Sequence, residues 1–308
     1  MKKILLSAIL LAFAVYSAAI SGPLFETLAT TPVWIIVVVT IGYTIGQFLS
    51  SAKWWLLSRA SGIDCTLSDA VKAYFMGMFA NNFGLGVVGG DLARALLLIQ
   101  GKPGSKSKAI ASVASDRVHG LFSLATLGSI GGVYFYISNN LSINPKFVLF
   151  LIGVSVSLLV LWFAGSFLLA MIPGERKFFV KLRELSLAFP KDLKLLFIPT
   201  LISFIFHLWQ IFLIYLIGRA YHVEIPLEYL LVAIPLVNIV STLPITWNGL
   251  GVRENALAFF LAPLIISNTQ AVAFGAIWLF AVTANSALGG IFAFITKDFK
   301  SVIKPEAE

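Results

Sequence analysis

Between Phe147 and Ile172 the chain runs for 26 residues without one charged side chain. As an α-helix that run measures about 39 Å, more than the roughly 30 Å of hydrocarbon in a bilayer. A helix apolar on every face needs an apolar solvent, not a single buried seam. Comparable apolar runs lie at approximately Pro32 to Leu57, Ala109 to Ile137, Leu195 to Ile217 and Ala271 to Thr296. Over the 308 residues, 59% are apolar and 12% charged, against roughly 45–50% and 25% in soluble domains. Too few polar residues remain to cover a water-facing surface, so the solvent for most of the chain is lipid.

The same residues exclude other classes. Cys65 is the single cysteine, which rules out a disulfide framework within the chain and any cysteine-based metal cluster. His119, His207 and His222 are not spaced as ligands on one helix face. No GxxxxGK[ST] run occurs, and the GxGxxG spacing at Gly84 to Gly89 lies inside an apolar region rather than in a βαβ unit, so a nucleotide site has no support. No cofactor and no metal are expected.

The net charge of +8 is read first as loop charge that orients the spans. Lys2 and Lys3 precede an apolar run from Ile4 to Ile20. With Ser17, Ala18 and Ala19 that run also fits a cleaved signal peptide, but the spans that follow at once favour retention. Seventeen of the 22 basic residues fall in segments assigned to the cytoplasmic side, Lys53, Arg59 and Lys72 among them; only Lys146 and Arg219 fall outside. The excess charge therefore gives no reason to expect nucleic acid, and both termini are expected in the cytoplasm.

Two apolar regions, Ala73 to Ile99 and Tyr229 to Ile266, are broken by Gly, Asn, Pro and charge. Positive loops flank the first on both sides. Its break is expected at Gly89–Asp91, which leaves a second part too short to span. A re-entrant hairpin from the inner side fits. The second region must leave and return to the outer side. The fold class is therefore an all-α polytopic membrane protein with about six full spans and two re-entrant hairpins of opposite orientation. Residues 1–308 form one membrane domain, with inverted repeats at 4–138 and 147–296 and a basic cytoplasmic linker at 173–194. Broken segments meeting near the midplane are an architecture of secondary transporters.

The first hairpin carries Asn82, then Gly89-Gly90-Asp91 and Arg94. Asp91 is expected to cap the following helix, and Arg94 lies three residues on, on the same face. A charge at the membrane centre costs roughly 2.5–3.5 kcal/mol, so two uncompensated charges cost about 6 kcal/mol. They must face each other, a cavity or a ligand. The second hairpin carries Asn248, Gly249, Gly251, Arg253 and Glu254, where Arg253 and Glu254 are either a locking ion pair or a ligand site. Asp116 and Arg117 enter from the third span, with Asp116 as the partner of Arg117. Guanidinium groups and helix N-termini favour phosphate. Asp91, Arg94, Arg117, Arg253, Glu254, Asn82 and Asn248 are thus candidate substrate ligands, and Asp116 a structural ion-pair partner. His119 reads as a packed histidine, and His207 as a buried group needing a partner. The linker has Phe178, Leu182, Leu185 and Phe189 at helical spacing, which suits the headgroup region.

The runs Asn82…Gly90-Asp91-Leu92-Ala93-Arg94, Asp116-Arg117…Gly120 and Pro244…Asn248-Gly249-Leu250-Gly251-Val252-Arg253-Glu254 resemble the flippase-like membrane domain of lysylphosphatidylglycerol synthases. The likeness covers about residues 5–300. It departs at Val87-Val88, where a proline is expected. The resemblance implies movement of a lipid or lipid-linked headgroup between leaflets, with Asp91, Arg94, Asp116, Arg117, Arg253 and Glu254 at the matching positions. The aminoacyl-transferase activity of full synthases resides in a further cytosolic domain and is not expected of a chain with a short tail after Thr296.

Three readings follow: a flippase for an anionic or phosphate-bearing membrane lipid, a membrane-embedded transferase on a lipid-linked substrate, and a non-catalytic partner of a lipid or glycan synthesis complex. The transferase needs acidic residues near the membrane surface, and the first external loop offers only Glu26. The charge bias makes a direct prediction in whole cells. In a Cys65→Ala background, cysteines placed at Lys146 and Arg219 react with an impermeant maleimide, and one placed at Lys106 does not. The reverse pattern would invert the topology.

Overall fold

The computed structural model describes residues 2–22, 24–101, 106–138, 144–171, 193–243, 246, 249–264 and 267–296. Asn248 and linker residues 173–192 lie outside the described residues. Within the described residues the chain is helical throughout, with no strand. The helices are α1 (Lys2–Ser21), α2 (Leu24–Ala29), α3 (Val33–Ala60), α4 (Leu67–Ala80), α5 (Gly86–Leu98), α6 (Lys106–Ser138), α7 (Pro145–Met171), α8 (Leu193–Ala220), α9 (Leu227–Thr242), α10 (Val252–Leu261) and α11 (Asn268–Thr296). Five of them, α3, α6, α7, α8 and α11, are long and apolar enough to cross a membrane. Their outward faces carry large apolar side chains such as Leu149, Phe163, Phe197 and Ile295, a density of exposed hydrophobics that water-soluble proteins do not show.

The ends of the long helices follow from local chemistry. At the end of α3, Gly62 adopts φ +76°, its amide bonds Arg59 O, and Ile63 N bonds Ser58 O. This left-handed cap satisfies carbonyls that the helix leaves open. α4 then begins with a reciprocal cap: Asp69 N donates to Thr66 Oγ1 at 3.2 Å and Thr66 N donates to Asp69 Oδ2 at 2.9 Å. α8 ends as α3 does, with His222 at φ 55° and Val223 N bonding Gly218 O.

Both broken regions are helical hairpins. α4 has 14 residues and α5 has 13, so each measures about 20 Å, short of a crossing. A π-helical turn at Asn81–Leu85 ends α4, and Gly86 at φ +66° reverses the chain. The corner thus falls at Gly86, not at the expected Gly89–Asp91, and α5 runs through Gly89, Gly90 and Asp91. Gly90 serves packing here. A Cβ on it would collide with Asn81 Oδ1 and stand 2.5 Å from Gly77 O, so its hydrogen lets the two arms touch. The antiparallel arms close at their open end around Ala70, Ala73, Leu98, Ala109 and Trp54. In the second hairpin Tyr229 donates to Phe260 O at 2.6 Å near the open end, and Gly249 lies against Ser241 O near the tip.

A short string recurs at both corners. Gly84-Leu85-Gly86-Val87 and Gly249-Leu250-Gly251-Val252 each place a positive-φ glycine, Gly86 or Gly251, at the start of the returning helix. The long-helix ends match as well: Arg59-Ala60-x-x-Ile63-Asp64-x-x-Leu67 is echoed by Arg219-Ala220-x-x-Val223-Glu224-x-x-Leu227. The packing partners also exchange. α3 packs on α8, α6 on α9, α4 on α11, α1 on α11, and α6 on α7.

α11 approaches α4 backbone to backbone. A Cβ on Gly289 would overlap the Phe75 backbone carbonyl, whereas one on Gly153 of α7 meets nothing within 4 Å. Gly289→Ala is therefore expected to destabilise by about 1–3 kcal/mol, despite the roughly 1 kcal/mol that alanine gains in a helix. Gly153→Ala should be neutral or slightly stabilising. Thermal unfolding of the two variants in detergent checks this; equal midpoints would refute the contact.

Candidate functional site

The charges that the apolar solvent makes costly are collected around one buried carboxylate. Asp116, in the third turn of α6, forms an ion pair with Lys53 Nζ at 2.9 Å and accepts from Arg94 Nη2 at 3.0 Å. Arg94 Nε reaches Asp91 Oδ1 at 3.1 Å. Asp91 in turn holds Arg117 with both oxygens, from Nε and Nη2, each at 2.9 Å. The result is an alternating row, Lys53–Asp116–Arg94–Asp91–Arg117, that ties α3, α5 and α6 together. The guanidinium of Arg94 is also flanked by the rings of Trp54 at 4.8 Å and Tyr74 at 5.0 Å, whose faces attract a cation.

Burial grades this row. Arg94, Lys53 and Asp116 are buried, and Asp91 nearly so. The Arg117 side chain is 42% exposed. Arg94 is a wall element behind the cavity described below, whereas Arg117 has a free side facing it.

That cavity has a volume of about 420 Å³. It is bounded by residues 43–53 of α3, 116–124 of α6, 206–210 of α8 and 278–286 of α11. Each segment is at or near the middle of its long helix. The tips of both hairpins close it, Asn81 and Val87 from the first, Ser241 and Thr242 from the second. A polar chamber therefore sits at mid-length of the bundle, the depth at which a bilayer offers no water. Three cations, Lys53, Arg117 and Arg253, line it against two carboxylates, Asp91 and Asp116. With Arg94, which pairs with both carboxylates from behind the wall, the set holds four cations and two carboxylates, a surplus of two positive charges.

Arg253 lines the same cavity as Arg117 and does not pair with its chain neighbour Glu254. Among the described residues it makes no ion pair, and its Nε is buried without a partner. Glu254 is turned the other way. It is buried, Oε2 accepts from Gly251 N at 2.7 Å, and its stem lies against Gly275. The carboxylate thus caps α10 from the N3 position, where the helix dipole favours an anion. An Arg253–Glu254 lock does not form because adjacent residues on a helix point in different directions. Asp91, expected as a cap, instead lies in the second turn of α5 because the helix begins at Gly86, and this turns it toward α6.

The remaining candidates divide. Asn82 lies outside the cavity lining, with Nδ2 3.4 Å from Thr283 Oγ1 of α11. Its neighbour Asn81 lines the chamber, and its Oδ1 has no partner. His207 finds its partner in Gly120 O, to which Nε2 donates at 3.0 Å. His119 packs edge-on to Trp162. Lys53 was counted from the sequence as cytoplasmic loop charge; the structure corrects this, since Lys53 is buried within α3. Its signal was present, as the lone charge between Pro32 and Leu57.

Removing Asp116 leaves Lys53 buried without an anion and Arg94 with Asp91 alone, and breaking such a set typically costs 3–5 kcal/mol. Arg117 keeps access to the cavity, so its loss costs about 1 kcal/mol or less. Denaturant unfolding should therefore rank Asp116→Asn far below Arg117→Gln in stability. Equal losses would show that Asp116 is not the centre of the row.

The family model described as lysylphosphatidylglycerol synthase TM region matches residues 1–289, which includes both hairpins and every member of the ionic row. No curated protein and no solved structure matches the chain. A family match over nearly the whole length, with five long apolar helices, makes this chain a multi-pass helical membrane protein of the lysylphosphatidylglycerol synthase TM-region family.

Proposed function

We propose that the chain moves an anionic, phosphate-bearing lipid headgroup between the leaflets of the cell membrane, with the headgroup passing through the mid-length cavity while the lipid tails stay outside. The observation that carries this reading is the pairing of Arg117 and Arg253 across one chamber: one is half-exposed, the other has a buried donor without a partner. An anion placed between them accepts charge-assisted bonds from both. The surplus of positive charge suits an anionic phosphate. Lys53 and Arg94 neutralise Asp116 and hold Asp91, and Asp91 aims Arg117 into the chamber.

The architecture supports an inverted repeat. The Gly-Leu-Gly-Val corners, the matching helix ends and the exchanged partners are what a pseudo-twofold axis between α3 and α8 produces, with the two hairpins entering from opposite faces. With Lys53 withdrawn from the loop count, sixteen basic residues remain on the cytoplasmic side against Lys146 and Arg219, which supports cytoplasmic termini. A transferase is the weaker reading, because both cavity carboxylates are held by cations and neither is a free base.

The test is leaflet exchange of fluorescent phosphatidylglycerol in reconstituted vesicles, followed by dithionite quenching. Each lost charge-assisted bond is worth about 1.5–3 kcal/mol. Arg117→Gln and Arg253→Gln should therefore each slow protein-dependent exchange at least tenfold, while eluting as folded protein. Wild-type exchange rates in both would remove the cavity from the mechanism.

A further inference from the structure

A second cavity lies behind the first, on the opposite face of α6. Asp116, Gly120 and Leu124 of α6 face the charged chamber, whereas Val118, His119 and Phe122 face α7 and the start of α8. With Leu159, Trp162 and Phe163 of α7 and Phe197 of α8, they bound a crevice of about 310 Å³. For comparison, an apolar cavity of roughly 150 Å³ holds one benzene ring. No charged side chain occurs among its described lining residues. Leu159, Phe163 and Phe197 on its rim are exposed, so the crevice opens sideways to whatever surrounds the bundle. For this family that surrounding is lipid.

One polar valence on the wall is unfilled. The His119 ring is 5% exposed and stands edge-on to Trp162 at 4.8 Å. Its Nδ1 is 2.9 Å from Thr200 Oγ1, and its Nε2 is buried with no partner. Either atom of that contact can be the donor, depending on the ring tautomer, so Nε2 is either a bare acceptor or an N–H without an acceptor.

We propose that this crevice is a binding site for a lipid alcohol, an aliphatic chain ending in a free hydroxyl, with that hydroxyl hydrogen-bonded to His119 Nε2. A plain acyl chain fills the apolar volume but leaves Nε2 unpaired, which buried polar groups rarely are. A phosphate or carboxylate finds no cation among the described lining residues. A hydroxyl both donates and accepts, so it satisfies Nε2 in either tautomer, which a carbonyl does in only one. The site is separate from the charged chamber and stands whether or not headgroups pass through that chamber.

The experiment uses the full chain in phosphatidylcholine vesicles containing diacylglycerol with a diazirine in one acyl chain, and the same lipid acetylated at its hydroxyl. After irradiation, label should map to peptides spanning 158–163 and 197–200, about fivefold more with the free hydroxyl than with the acetylated probe, the worth of one net hydrogen bond. Leu159→Trp, a rim change that leaves the core alone, should abolish this label. His119→Phe should keep the label but erase the preference. Equal labelling by both probes in the wild type, or undiminished labelling of Leu159→Trp, would overturn the site. So would a disulfide formed between cysteines placed at 159 and within 173–192 in lipid-free protein, because the chain's own linker would then fill the crevice.

Discussion

Asp116 is the point on which the bundle turns. A carboxylate at that depth is tolerable only because Lys53 and Arg94 reach it from two other helices, and Lys53 has no other anion there. The three groups are therefore a single unit in energetic terms. Their mutual need fixes α3, α5 and α6 in register. The row continues outward through Asp91 to Arg117, and each step is less buried than the last. Apolar solvent sets the cost, alternating charge meets it, and the end of the row is the one member left with a free side.

Glycine contacts let that unit form. The hairpin arms approach at Gly77 and Gly90 until backbone meets backbone, and α11 lies on α4 through Gly289. In lipid, apolar side chains gain little by leaving solvent, so close packing of small residues replaces the hydrophobic effect as the cohesive force between helices. Because the arms are short and touch closely, their tips end halfway along the long helices. The polar chamber is the space those short arms leave unfilled. Both the anionic pathway proposed for it and the apolar crevice behind α6 depend on α6 presenting charge on one face and aromatic and aliphatic surface on the other.

Much of this was legible in the residues. The apolar runs marked the five long helices to within about three residues at the ends that could be compared, since a helix in lipid must hold its apolar character for a whole bilayer. The broken regions announced themselves as hairpins through Gly, Asn and charge. Other features were present but read differently. Lys53 sits about one turn before the end of an otherwise uncharged run, and Gly-Leu-Gly-Val occurs at both corners. Gly89 and Gly90 looked like the corner because glycine permits turns, yet the same missing side chain also permits contact, and only the crossing arm distinguishes the two uses.

The sequence by itself determined that this chain lives in lipid, that it is helical, which segments are too short to cross, and that a few arginines and acids carry a cost needing an explanation. Composition and run length suffice for these because they depend on the free energy of each segment in its solvent, summed locally. Tertiary structure alone decided who answers whom. It gave Asp116 to Lys53 across 63 residues of chain, put Arg253 in the cavity wall while Glu254 caps its helix, and set Arg94 behind the wall rather than in the chamber. Those choices depend on which helix faces meet. In a uniformly apolar chain that is settled by small-residue packing between distant segments, which no local pattern records.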